Sequence, residues 1–246
     1  MKKVWVKRSA VNIIDSHKEY LDDIPRIASP DYKPTPRDVL LARVRTTNVV
    51  MEKYRIQENN FEIYDLGGQR RLRHKKNSVD KCSAIIFVAA LSEYDQPLAE
   101  DKRANRMEDS LDFFKSICTD SAYAETSILL FLNKMDIFKE KIEYSDIAAQ
   151  KAFSDYKGRT KSYEDGVAYF QRKFTECLSD AGLSDSFIHI TCATDTSNMK
   201  FVLNAAATFV KSAVSSDFVN LTSLFAQLIP VFFNWMNVCD LPCFRV

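Results

Sequence analysis

An α/β fold with a largely parallel sheet is what three features of this sequence predict. Two continuous apolar runs, Ala84-Ile85-Ile86-Phe87-Val88-Ala89 and Ile128-Leu129-Leu130-Phe131-Leu132, fit strands buried on both faces. A third run, Phe187-Ile188-His189-Ile190, has the same character. Between the runs, apolar residues recur at helical spacing: Met107, Leu111, Phe114 and Cys118 in one segment, Tyr163, Val167, Phe170, Phe174 and Leu178 in the next. Strands alternating with amphipathic helices give a parallel sheet. Ligands of such folds sit at the carboxyl ends of the strands, so the residues just after each run are the functional candidates.

The elements follow in order. Residues 9–27 have a helical pattern, and Ser29-Pro30, Pro34 and Pro36 then form a breaker cluster, a natural hinge. Asp38 can cap a short helical turn. Val49 to Ile56 is rich in β-branched and aromatic residues, and Phe61-Glu62-Ile63-Tyr64 alternates into Asp65; with Asn59-Asn60 as the expected turn, they read as a hairpin. From Phe218 to Cys239 there is no charged residue, over a length of about 20 residues that is enough to span a bilayer. Asn220, Gln227, Asn234, Asn237 and the central Pro230 speak against a span, so a membrane-associated tail, a core segment and a disordered extension all stay open.

Composition narrows the function classes. Hydrophobic residues are 46% and charged residues 27% of the 246, a globular profile. Lys+Arg is 34 and Asp+Glu 33, a net charge of +1 that argues against broad electrostatic binding to nucleic acid. There are five glycines, Gly67, Gly68, Gly158, Gly166 and Gly182, which leaves no GxGxxG and no GxxxxGK[ST] phosphate loop in this sequence. The six cysteines show no CxxC and no zinc spacing, as expected of free buried thiols in a reducing compartment. The start, Met1-Lys2-Lys3-Val4-Trp5, has neither an apolar signal stretch nor a myristoylation motif.

Three segments stand at strand ends. Asp65-Leu66-Gly67-Gly68-Gln69 offers a carboxylate that can hold Mg²⁺ through water, glycines that let the backbone approach a phosphate, and a glutamine that can orient a water. By itself it is equally a polar double-glycine turn. Asn133-Lys134-Met135-Asp136 places an amide and a carboxylate where they can read a planar base edge, with the lysine stem over the base; a helix-capping turn is the plainer alternative. Thr191-Cys192-Ala193-Thr194-Asp195-Thr196 is a small-residue turn whose amides can reach a ligand, or again a cap. His17, His74 and His189 do not cluster, and His189 reads as a core histidine.

Order and spacing decide between these alternatives. Asp38-Val39-Leu40-Leu41-Ala42-Arg43-Val44-Arg45-Thr46-Thr47 precedes the first segment, and Ala90-Leu91-Ser92-Glu93-Tyr94-Asp95-Gln96 with Asn105-Arg106-Met107-Glu108-Asp109-Ser110-Leu111 lies between the first and second. With these, the sequence from about Asp15 to about Ala205 resembles the alpha subunits of heterotrimeric G proteins, closest in wording to the inhibitory class. The resemblance implies a Ras-like three-layer α/β/α G domain with a mostly parallel sheet, over residues 37–215. A remnant of the all-α helical domain and its hinge would occupy residues 1–36, and a divergent apolar tail residues 216–246.

The resemblance also implies roles, within a general phosphoryl-transfer scheme for which this family is a standard example. Arg43 and Gln69 match the catalytic pair: the arginine that stabilises transition-state charge and the glutamine that orients the attacking water. Thr46 and Asp65 match the Mg²⁺ residues of the two switches, and Gly68 the amide that senses the γ-phosphate. Asn133 and Asp136 match the guanine readers, Lys134 the residue packed on the base, and Ala193, flanked by Cys192 and Thr194, the amide on the guanine oxygen. Leu41 and Arg43 line the nucleotide from the first-switch side, and Asp15-Ser16 matches a pair presented across the cleft. GTP or GDP with Mg²⁺ is the implied ligand. A β/γ dimer, a receptor and an effector are the implied partners, and the cytoplasm or the inner face of the plasma membrane is the implied location.

The sequence departs from the family pattern in places. The phosphate loop and first strand, expected before the Asp15 region, are not in it, so the strands ending at Asp65 and Ala89 are expected to lack their shared neighbour. The second switch reads Arg71-Leu72-Arg73-His74-Lys75-Lys76-Asn77, without the family's usual tryptophan, and Asn48 stands where the first switch has glycine. Beyond about Phe209 the family's receptor-contacting helix is not recognisable, and Cys239 and Cys243 are alternative acylation sites beside the apolar tail. Three readings follow: a GTP-hydrolysing transducer, a non-catalytic decoy that competes for G protein partners, and part of a longer natural alpha subunit.

Overall fold

A computed structural model describes residues 17–41, 50–56, 59–65, 82–98, 101–183, 186–192, 195 and 242–245. Its centre is a six-stranded sheet in the order β1 (Val50–Ile56), β2 (Asn59–Asp65), β6 (Pro242–Arg245), β3 (Ala84–Ala90), β4 (Ser127–Asn133), β5 (Ser186–Ile190). β3 pairs in parallel with β4, and β4 with β5. β6 is antiparallel to both β2 and β3, so β2 runs in the same direction as β3, β4 and β5. Four of these six strands therefore point their carboxyl ends to one edge, the largely parallel sheet expected of the apolar runs.

The hairpin forms as expected, with one correction. Ile56 pairs with Asn59 and Arg55 with Asn60, which puts both asparagines inside β2; the connection falls at 57–58. A two-residue connection is the commonest hairpin loop, and the register, not the asparagines, locates it.

β3 and β4 are buried along almost their whole length, on both faces. On one face Ile85, Phe87, Ala89, Ile128, Leu130 and Leu132 pack under α4 (Arg106–Cys118) and α6 (Tyr163–Asp180). Phe87 meets Phe114 edge-on at 4.8 Å between ring centroids, and Phe114 meets Phe174 at 5.3 Å. Ile86, Val88, Leu129 and Phe131, which alternate to the other face, are buried as well. Asn105 caps α4 by accepting from the amides of Met107 and Glu108, and Ser162 caps α6 by accepting from that of Asp165.

Before the sheet come α1 (His17–Asp22), α2 (Ile24–Ile27) and α3 (Pro36–Leu41). Asp38 does not cap alone. Thr35 precedes the helix and accepts from the Asp38 amide through Oγ1, while Asp38 Oδ2 accepts from the Thr35 amide, a reciprocal box. Asp38 is also gripped by Arg26, whose Nη1 and Nη2 donate to its two oxygens at 2.9 and 2.6 Å. Tyr20 Oη donates to the Asp38 carbonyl, which ties α1 to the same point. The proline hinge between 29 and 36 is thus spanned by a side-chain clamp.

The C-terminal strand corrects an expectation: the strands ending at Asp65 and Ala90 do not lack a shared neighbour. The position between β2 and β3 is filled by β6, from the far end of the chain, running opposite to both neighbours. The apolar stretch 218–239 lies outside the described residues, among which no helix is long and apolar enough to cross a membrane.

Candidate functional site

The carboxyl edge of the parallel strands carries the candidates, and it is knitted together from β3 to the end of β5. β4 ends at Asn133, which is fully buried. Lys134 follows in the left-handed region (φ 60°, ψ 40°) and turns the chain into α5 (Met135–Lys141), leaving Asp136 exposed in the first turn. A lysine in this conformation is strained by about 1 kcal/mol or more. Such strain persists where surrounding bonds over-determine it, and here those bonds come from Thr191.

Thr191, just beyond β5 and fully buried, makes three bonds to this turn. Its amide donates to the Leu132 carbonyl at 2.8 Å, its carbonyl accepts from the Met135 amide at 3.2 Å, and its hydroxyl donates to Asn133 Oδ1 at 3.1 Å. The hydroxyl bond holds the buried Asn133 amide to the end of β5. The Asn133–Asp136 turn and Thr191, separate in sequence, form one unit. Cys192 is buried beside it, and its carbonyl accepts from the Asp195 amide.

The segment after β3, in the sequence only a mark of resemblance, supports this edge. Lys141, at the end of α5 and 7% exposed, donates to the Ser92 carbonyl at 2.6 Å and to Asp95 Oδ1 at 2.7 Å. Ser145 Oγ donates to Asp95 Oδ2, and Tyr94 Oη donates to the Ser145 carbonyl. Burial pushes the Tyr94 hydroxyl well above the usual tyrosine range, so it stays a donor. Glu93 pairs with Arg106 at 2.7 Å, and Asn105 Nδ2 donates to the Tyr94 carbonyl. The buried lysine at the end of α5 has no signal in the sequence, since its partners are 46 and 49 positions away.

Of the candidates near the β2 end, Asp65 closes the strand and is 5% exposed, opposite Pro242 in the ladder. A buried strand-end carboxylate is the kind of group that holds a hydrated Mg²⁺ at its edge. Among the described residues no cluster of three or more metal-ligating side chains occurs. Leu41 is the last residue of α3. Asp15, Ser16, Arg43, Thr46, Gly68, Gln69, Ala193 and Thr194 lie outside the described residues. His189 is half-buried on the edge strand β5 and stacks on Phe187 at 4.1 Å; burial lowers its pKa. Four cysteines, Cys82, Cys118, Cys177 and Cys192, are free and buried as expected, and burial pushes the Cys118 thiol up to about 12.

The carboxyl edge of the sheet joins the Asn133-Lys134-Met135-Asp136 turn to Thr191, and the family comparison is independent of it. The family described as G-protein alpha subunit matches residues 1–210. The chain belongs to that family. The alpha-17 guanine nucleotide-binding subunit of Caenorhabditis elegans is 41% identical over 206 residues, covering 83% of this chain and 57% of its own. The G(o) alpha subunit of Lymnaea stagnalis is 41% identical over 215 residues, 83% of this chain and 60% of its own. The alpha-1 subunit of Mycosarcoma maydis is 44% identical over 192 residues, 78% and 53% respectively. This alpha-subunit chain therefore spans somewhat more than half the length of the curated relatives it matches.

Proposed function

We propose that this chain is a guanine-nucleotide-binding, GTP-switched transducer of a heterotrimeric G protein, and that the Asn133–Asp136 turn reads the base. The observation that carries this is the bond from the Thr191 hydroxyl to Asn133 Oδ1. It orients a fully buried amide beside an exposed carboxylate, Asp136, two turns of chain brought to one edge. An amide and a carboxylate at one edge can hydrogen-bond a purine edge. In this reading the Lys134 stem packs on the base, and Ala193, next in sequence to the buried Cys192, supplies an amide to the base oxygen. Arg43 and Gln69 act on the γ-phosphate, and Gly68 senses it. Thr46 and Asp65 hold Mg²⁺, which supplies positive charge against the phosphate oxygens. A β/γ dimer, a receptor and an effector are the partners of this reading.

The test is a titration of the purified full chain with a fluorescent GTP analogue in the presence of Mg²⁺. Saturable binding in the micromolar range or tighter, displaced by GDP and not by ADP, and lost in Asp136→Ala, is the expected result. Failure to bind, or binding that Asp136→Ala leaves intact, overturns the assignment of the base-reading turn.

A further inference from the structure

Lys141 is the one buried cation among the described residues. It stands in the last turn of α5, the helix whose first turn carries Asp136. Taking an ammonium out of water is costly, and a buried pair of charges is a poor source of stability compared with an apolar side chain of similar volume. The surroundings would suit such a side chain. Lys141 Nζ lies 5.9 Å from the centre of the Tyr94 ring, and Tyr94 meets Phe138 of the same helix edge-on at 5.4 Å. What the cation supplies, and a methionine would not, is direction. Its bonds to the Ser92 carbonyl at 2.6 Å and to Asp95 Oδ1 at 2.7 Å fix the C-terminal end of α5 against the segment that follows β3. Ser145 Oγ donates to the other oxygen of Asp95 at 2.8 Å, and the Ser145 amide donates to the Lys141 carbonyl at 2.9 Å. The chain leaving α5 therefore closes on the same carboxylate.

α5 has seven residues, about 10 Å of helix, and it is bonded at both ends. At its start the Met135 amide donates to the Thr191 carbonyl; at its finish stands the Lys141 pair. Between them Phe138 is fully buried against Tyr94 and Phe170. Apolar packing is non-directional and holds the helix on the sheet, whereas hydrogen bonds set its rotation and its position along its own axis. Asp136 belongs to the first turn of this short rod, so a small rotation or slide of α5 carries its carboxylate along. Asn133 does not follow, because it closes β4 and is bonded to Thr191. We infer that Lys141 and Asp95 are positioning residues for the base: they hold α5 at the rotation where the Asp136 carboxylate meets the donors of a guanine edge. The inference rests on the reading of Asn133–Asp136 as the base-reading turn. Both residues act through Asp136 and not on the nucleotide itself.

The test compares two nucleotides on the full chain with Mg²⁺. Guanine and hypoxanthine differ by one exocyclic amino group, a donor from which a carboxylate can accept. The parent chain is expected to bind guanosine triphosphate about tenfold or more tighter than inosine triphosphate, the worth of a hydrogen bond to a charged group. Loss of folded chain lowers both affinities alike and leaves their ratio unchanged; displacement of Asp136 lowers the ratio. Lys141→Met is expected to bring the ratio to within about threefold of unity, since a shift on the order of 1 Å is enough to spoil such a contact. Adding Asp95→Asn is expected to restore part of the stability in urea and none of the ratio, which separates position from stability. Asp95→Asn alone leaves Lys141 its bond to the Ser92 carbonyl, and an intermediate ratio is expected; this milder variant carries the test where Lys141→Met does not fold. A parental ratio in Asp95→Asn or in the double variant overturns the positioning role and leaves the base-reading turn standing. A parent chain that binds the two nucleotides equally overturns the reading of the turn, and this inference with it.

Discussion

At the scale of single residues, Lys134 breaks a local backbone rule at the turn proposed to read the base. The left-handed backbone at φ 60° would suit glycine, yet the position holds a long cation between Asn133 and Met135. Lys134→Gly relieves about 1 kcal/mol of backbone strain and adds back about 0.5–1 kcal/mol of unfolded-chain entropy. Stability is therefore expected to stay within about 0.5 kcal/mol of the parent in urea melts, as the balance of those terms. Affinity for a guanine nucleotide is expected to fall about tenfold, the loss of about 1.4 kcal/mol from the stem over the base. A substitution that lowers stability and leaves affinity alone would make Lys134 a structural residue. The identity of this turn was legible in the sequence as an Asn-Lys-Met-Asp string; the strain was not, because a one-residue backbone excursion leaves no periodicity. The role of Thr191 was not legible either, since a threonine at a strand end is ordinary until its hydroxyl is seen to reach Asn133.

At the scale of elements, two contacts decide how the helices seat on the sheet. Gly166 in α6 faces α5 and the segment after it. A methyl group there would lie 2.8 Å from Ile142 Cδ1, 2.9 Å from Phe138 Cζ and 3.1 Å from Ile147 Cδ1. Alanine gains about 1 kcal/mol of helix propensity, against overpacking of about 1–3 kcal/mol in a full core. Gly166→Ala is expected to lower stability by about 1 kcal/mol, the difference of these two effects; a rise in the melting temperature would mean that the ring of Phe138 yields. The glycine was visible in the sequence as one of five, but not its reason, which is the close approach of α6 to Phe138. Lys141 is the second contact, the peg that joins α5 to the segment after β3. Lys141→Met takes the cation from the Asp95 carboxylate and leaves it the Ser145 hydroxyl, and breaking such a buried pair costs about 3 kcal/mol or more. Adding Asp95→Asn is expected to recover roughly half of that, which a double-mutant cycle in urea measures directly. Equal losses in the single and double variants would place the energy in the packing of the lysine stem instead.

At the scale of the whole molecule, what was legible in the sequence is what repeats with a period. β3, β4, α4 and α6 were recovered from apolar runs and helical spacing, because their burial on one or both faces writes itself into consecutive residues. β6 was not, because a four-residue strand between two neighbours is set by the slot it fills and not by its own pattern. The ion pairs were invisible because sequence pattern does not show which charges meet, and they govern the response of the molecule to acid. Arg26 and the Thr35 amide hold the Asp38 carboxyl well below the usual carboxylate range; Arg159 does the same for Asp165, and Lys173 with the Tyr169 hydroxyl lowers Asp155. In each case the native state binds fewer protons than the unfolded chain near an ordinary carboxylate pKa of about 4. Stability from these groups is thus complete above that value and is lost as the pH falls below it. His189 acts in a higher window: burial lowers its pKa, so the unfolded chain takes up its proton first, and stability starts to fall as the pH drops through about 6.5. Urea midpoints measured from pH 8 to pH 3 are expected to show two descents. His189→Gln flattens the first and leaves the second, whereas Asp38→Asn starts from a lower midpoint at pH 7 and falls less steeply below pH 4. A single descent below pH 4 that His189→Gln does not alter would mean that the Phe187 stack holds the imidazolium as readily as the neutral ring.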